Sequence, residues 1–128
     1  MAEVIESKGL LVRKPLSAPD EVRAFAGGMG SLKVFNLGKA MIGRGEFKPG
    51  WRWSTHVKPL VQTHSCEVPH TGYVISGSMV VHMDSGEECQ YSEGDFFYMT
   101  PGHDAWVVGD EPCILLDFTG ADHYAKPH

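Results

Sequence analysis

The feature that most constrains this chain is its punctuation. From Ser31 onward, short alternating runs are cut apart by turn residues, and no helix-length segment lies between any two of them. The separators are Pro49-Gly50, Ser76-Gly77-Ser78, Asp84-Ser85-Gly86, Glu93-Gly94-Asp95, Pro101-Gly102 and Gly109-Asp110-Glu111-Pro112, each able to supply a turn. Between them the pattern predicts strands over 31–37, 40–47, 51–57, 71–76, 79–83, 88–91, 95–100, 105–108 and 113–118. Parallel pairing would need crossover helices, which are absent, so the sequence reads as an all-β antiparallel sandwich or barrel.

Two segments depart from that rhythm. Ser17-Ala18-Pro19-Asp20-Glu21-Val22-Arg23-Ala24-Phe25 carries a Ser N-cap, a first-turn proline and two early acids, and ends at Gly27-Gly28. It predicts a short N-terminal helix. Residues 57–69, with two prolines and no clean alternation, predict an irregular connection of the length usually kept for function. The expected organisation is one domain: an N-terminal arm and short helix over 1–30, a barrel over 31–119 and a polar tail over 120–128.

Composition narrows the partners. Eleven Lys and Arg against sixteen Asp and Glu give a net charge of −5, with the basic residues scattered, which argues against nucleic acid. No apolar run is long enough to span a membrane, and the N-terminus lacks a leader-like apolar stretch. Three cysteines, odd in number and without a C-x-x-C pair, suit a reducing compartment, so a cytoplasmic protein is expected.

Seven histidines stand out against this background, about twice an ordinary share. Alternation places His56 with Arg52 and Ser54 on one strand face, opposite Trp51, Trp53 and Thr55. His70 starts the next strand, and His103 follows the Pro101-Gly102 turn. Histidines at the ends of separate strands can converge in a closed barrel, and imidazoles favour transition metals over Mg or Ca. His64 and Cys66, in the irregular connection, are candidates for a fourth ligand. His82 reads as a solvent-facing strand residue, and His123 and His128 as tail residues.

These residues resemble the small single-domain cupins, whose two motifs are G-x5-H-x-H-x3,4-E-x6-G and G-x5-P-x-G-x2-H-x3-N. Gly50-Trp-Arg-Trp-Ser-Thr-His56 matches the opening of the first. His70-Thr-Gly-Tyr-Val-Ile-Ser-Gly77 matches its close, with His in place of Glu. Gly94-Asp95-Phe-Phe-Tyr-Met-Thr-Pro101-Gly102-His103 resembles the second motif, shortened at the turn, with Val107 at the Asn position. Lys58 occupies the place of the second histidine. An alternative register, His64-x-Cys66-x3-His70-x6-Gly77, keeps the first motif's spacing; the register through His56 is preferred because residues 51–57 read as a strand.

The resemblance covers roughly residues 32–118. It implies an antiparallel double-sheet jelly-roll barrel, a divalent transition metal (Zn, Fe, Ni or Mn) held by His56, His70 and His103 with His64 as a further candidate, a small-molecule ligand or substrate, and pairing into a homodimer. An Fe centre would suit an oxygenase and a Zn centre an isomerase, hydrolase or lyase; the alternative is a non-catalytic binding or sensing module. Trp51, Trp53, Trp106, Tyr73, Phe97 and Tyr98 are candidates for an aromatic lining. Glu46, Glu67 and Asp104 are candidates to orient an imidazole or act as a general base, and Arg44 and Arg52 to clamp a carboxylate.

Overall fold

The computed structural model describes residues 5–6, 11–122 and 124–126. In chain order the strands are β1 (Ile5–Glu6), β2 (Val12–Arg13), β3 (Glu21–Ala24), β4 (Gly30–Asn36), β5 (Met41–Phe47), β6 (His70–Ser76), β7 (Ser78–Met83), β8 (Glu88–Ser92), β9 (Phe96–Met99), β10 (His103–Val108) and β11 (Cys113–Asp117). Two single-turn helices, α1 (Trp53–His56) and α2 (Lys58–Val61), lie between β5 and β6. A six-stranded sheet runs β3-β4-β5-β11-β6-β9 and a three-stranded sheet β10-β7-β8, while β1 and β2 pair separately; every pairing is antiparallel.

The core lies on the inward faces of these strands, where alternation is regular. Leu32 and Val34 of β4, Val74 of β6, Val81 of β7, Phe97 and Met99 of β9, and Cys113 and Leu115 of β11 are all buried. Period-two burial makes one face of each strand apolar, which is why the sequence pattern locates them. At Gly72 a side chain is excluded outright: a Cβ there would lie 1.9 Å from the Leu116 carbonyl oxygen and 2.6 Å from the Phe97 ring. That glycine lets β6 pass close beneath β11.

Two sequence expectations give way. Residues 17–25 form no helix; Glu21–Ala24 is strand β3, paired with β4 from Glu21 opposite Val34 to Ala24 opposite Ser31. A two-turn helix is marginal alone, whereas a sheet edge satisfies the same backbone groups. The pairing also turns Arg23 inward, where its guanidinium donates to the Ala121 and Tyr124 carbonyls at 2.7 and 2.6 Å. Residues 51–57 are likewise not a strand. Trp53–His56 is a helical turn, closed by the His56 amide to the Arg52 carbonyl and the Val57 amide to the Trp53 carbonyl, both at 2.9 Å. Trp53 and Val57, four residues apart, are both buried, so a helical period accounts for this apolar spacing as well as a strand's does.

The segment expected as a polar tail carries three core residues, Ala121, Tyr124 and Ala125. His123 and His128 lie outside the described residues.

Candidate metal centre

Three chemistry-bearing side chains meet inside the barrel. Cys66, His70 and His103 each offer a ligand atom within 4.8 Å of the other two, and all three are buried. His70 opens β6 and His103 opens β10, both pointing inward by strand parity. Cys66 belongs to the irregular connection, yet its position is fixed by backbone pairing with the other sheet. Its amide donates to the His103 carbonyl at 2.7 Å, and its carbonyl accepts from the Gly102 amide at 2.7 Å. The preceding Ser65 hydroxyl lies 2.8 Å from both Glu67 Oε2 and Asp84 Oδ2, which fastens the loop from its outer side.

Hydrogen bonding sets the tautomer of each imidazole. Asp117, the last residue of β11, places Oδ2 2.5 Å from His70 Nδ1. Burial pushes the Asp117 carboxyl up, but the His70 bond and charge, together with the Gly120 and Thr119 amides, outweigh it and hold the group below its ordinary value. An ionised carboxylate only accepts, so His70 Nδ1 carries the proton. His103 Nδ1 lies 2.7 Å from the Thr100 carbonyl, also a pure acceptor, so it too is protonated there. Burial draws the His103 pKa down, which favours the neutral ring. Each imidazole in its neutral form therefore leaves Nε2 as a free lone pair, the arrangement that an outer-shell acceptor creates around a metal-binding histidine.

Cys66 completes the group. Its Sγ lies 3.7 Å from His70 Nε2, and burial pushes the thiol up to about 12, so it keeps its proton unless a cation replaces it. That spacing suits a tetrahedral site, in which metal–ligand bonds of 2.0 to 2.3 Å put neighbouring ligand atoms about 3.5 Å apart. Two imidazoles and a thiol are a borderline-soft donor set, suited to Zn and Fe. The residues present fit a transition metal.

The centre opens on an interior cavity of about 30 Å³, room for one or two water-sized groups. Besides His70, His103 and Asp117, the wall is aromatic or aliphatic and includes Trp51, Trp53, Phe97, Met79, Met99 and Tyr124. A second, outer groove of about 410 Å³ shares Trp53 and Tyr124 with the inner cavity, reaches the metal centre at Cys66, and adds Val61, Glu67 and Lys126. Trp53 and Tyr124 stand between the two spaces.

The structure thus brings His70 and His103 of the expected set together with Cys66, and places His56 and His64 outside that group. His56 sits on helix α1, where its Nδ1 accepts the Arg52 amide at 3.0 Å, and it is absent from both the three-residue group and the cavity wall. His64 is exposed and outside the group. Neither motif register holds whole: Cys66 and His70 come from the alternative one, without His64. Arg52 faces outward, stacked over Trp106 at 4.3 Å and 3.5 Å from Asp104. Arg44 faces Glu46 across 3.7 Å. The orienting acid is Asp117 rather than Glu46, Glu67 or Asp104. An acid at an inward position after Cys113 and Leu115 was the available signal for it. Tyr124 had none. Of the aromatic candidates, Trp51, Trp53 and Phe97 line the cavity; Trp106, Tyr73 and Tyr98 do not.

A double-sheet antiparallel barrel with buried imidazoles at its centre defines the class of protein. Residues 45–119 match the cupin domain family, and the chain belongs to it. Among solved structures, an RmlC-like cupin from Shewanella frigidimarina is similar, with 22% identity and a TM-score of 0.53 over 80% of this chain and 86% of that one. A Salmonella typhimurium chain named for ethanolamine utilization shares 14% identity with a TM-score of 0.61, covering 93% of this chain and 94% of that one. An Acinetobacter protein of unknown function shares 19% identity with a TM-score of 0.54 over 77% and 89%. At these identities the likeness is one of fold. No match was found among curated proteins.

Proposed function

We propose that this cupin is a metalloprotein whose Cys66, His70 and His103 hold one divalent transition metal, and that it acts as a small-molecule metalloenzyme. One observation carries the reading: both imidazoles have Nδ1 committed to an acceptor, Asp117 and the Thr100 carbonyl, which leaves two Nε2 lone pairs beside one thiol. Three protein ligands leave a coordination position open, the pattern of reactive rather than closed structural sites. The thiol favours Zn or Fe over Mn.

The cavity wall favours Fe and oxygenase-type chemistry. Its acid, Asp117, is engaged by His70, and most of the remaining lining is apolar, so among the described residues the wall offers no second carboxylate as a general base for hydrolysis. When bound, the metal would supply Lewis acidity or redox capacity. The chain's own residues orient His70 through Asp117 and His103 through the Thr100 carbonyl, and surround the open position with a mostly apolar wall. The inner cavity is too small for a whole organic substrate, so its reacting end would enter while its body occupied the outer groove. The same apolar wall supports a second reading, a binding or sensing module that needs no acid or base. A reducing, cytoplasmic setting agrees with three free cysteines. A second copy of the chain is proposed to cover the outward Phe96 and Tyr98 of edge strand β9, 76% and 62% exposed, which sedimentation would test. Among the described residues, no helix is long and apolar enough to cross a membrane.

Elemental analysis tests the centre. Protein purified without added metal should carry one equivalent of transition metal, lost in Cys66→Ser, His70→Ala and His103→Ala and retained in His56→Ala and His64→Ala. Retention in the first three variants would refute the assignment. Oxygen consumption by the Fe(II)-loaded protein with candidate substrates then separates enzyme from module.

A further inference from the structure

The barrel interior holds a buried polar atom that the metal centre leaves without a partner. Among the described residues, Trp51 Nε1 is the buried side-chain nitrogen or oxygen left without a hydrogen-bond partner. Buried polar groups are almost always paired, so an orphaned donor calls for a specific reason. Trp51 is 1% exposed, so bulk solvent does not reach it and a partner would have to sit in the cavity itself. The ring packs on Phe25 at 5.7 Å and edge-on to Phe47 at 4.6 Å, and these neighbours offer aromatic faces, weak acceptors at best. Trp51 also forms part of the wall of the cavity shared with His70 and His103. Its backbone is fixed there, because its carbonyl accepts the Val107 amide of β10 at 3.0 Å.

We infer that Trp51 Nε1–H is the hydrogen-bond donor for a small exogenous acceptor held in this cavity, an anion or neutral molecule of two or three heavy atoms with an oxygen or nitrogen lone pair. The inference rests on the metal reading, since the acceptor's other end would occupy the coordination position that Cys66, His70 and His103 leave open. A cavity of about 30 Å³ sets the size limit. The donor-only indole sets the polarity, since it selects a ligand that accepts and discriminates against one that only donates. Trp51 is thus a specificity and positioning residue for what reaches the metal, distinct from the groups that hold it.

Azide is the probe, added to Co(II)-loaded protein and followed by its visible absorption. Wild type and Trp51→Phe should take up one Co(II) with equal affinity, while Trp51→Phe binds azide at least about tenfold more weakly, the loss expected for one hydrogen bond to a charged acceptor. Equal azide affinity in the two proteins, with cobalt uptake intact, would overturn the role of Trp51 and leave the metal centre standing. Failure of wild type to take up cobalt would overturn both. A second measurement does not depend on the variant folding. In Zn(II)-loaded wild-type protein labelled with 15N at the indoles, azide should shift one indole N–H resonance downfield, a resonance assigned to Trp51 by elimination with Trp53→Phe and Trp106→Phe. No shift of that resonance at saturating azide counts against the proposal.

Discussion

The molecule contains the same chemical pair twice, in opposite surroundings. Inside the barrel, His70 Nδ1 meets Asp117 Oδ2 at 2.5 Å with side-chain exposures of 8% and 4%. On the outer face of the smaller sheet, His82 Nδ1 meets Glu88 Oε1 at 3.0 Å with exposures of 44% and 52%. In water the outer pair gains little, because solvent screens it and competes for both partners. The inner pair cannot fall back on solvent, so each member is needed to satisfy the other. A histidine–carboxylate contact becomes a site only where burial removes that alternative and a second ligand set faces the free nitrogen.

The largest effect should come from breaking the inner pair. Asp117→Ala strands His70 Nδ1 in the core and is expected to cost about 3 kcal/mol of unfolding free energy, read from urea denaturation. It should also weaken metal binding roughly 10- to 100-fold, read by competition with a chelator. A loss no greater than that of the outer-pair variant would erase the distinction. Next comes Gly120→Ala. A Cβ at Gly120 would lie 2.6 Å from His70 Nδ1 and 2.9 Å from Asp117 Oδ2, so the methyl wedges the pair apart. Thermal unfolding should show a loss of about 1–3 kcal/mol.

Acid titration sharpens the comparison further. His103 and Asp117 both have pKa values drawn below their ordinary 6.5 and 3.8, so the unfolded chain takes up their protons first as pH falls. Their stability contributions are full above those ordinary values and vanish as pH drops through the folded ones. Metal-free protein should therefore lose stability in two stages, one beginning below about pH 6.5 and one below about pH 4. His103→Gln should remove the first and Asp117→Asn the second, as read from urea midpoints across pH; unchanged profiles would show that neither group is coupled to folding. The smallest effect belongs to Glu88→Gln, expected within about 0.5 kcal/mol of wild type by the same measurement.

Much of this arrangement was legible because strand burial repeats every second residue. His70 and His103 open strands β6 and β10, next to the predicted runs over 71–76 and 105–108, and turn punctuation together with the motif resemblance put both at strand ends. Residues 17–25 misled because their Ser, Pro and early acids are helix-start chemistry, while the partner that makes Glu21–Ala24 a strand, β4, lies beyond a turn. Trp51 to Val57 misled because its buried positions satisfy two periods at once. Cys66 could be offered only as a candidate, since its place depends on backbone bonds to residues 102 and 103, which no local pattern encodes. Tyr124 was invisible for a related reason: its segment is held by Arg23, a residue about a hundred positions earlier.

The family resemblance stops at residue 119, but Tyr124 stands in the wall between the inner cavity and the outer groove. One guanidinium from β3 grips the carbonyls of residues 121 and 124, so the first strand of the large sheet fixes the segment that divides the two spaces. Relatives that share the barrel but differ after its last strand would keep the inner cavity and change its boundary with the outer groove. Divergence of substrate among such proteins would then be sought in their final residues before it is sought in their ligands.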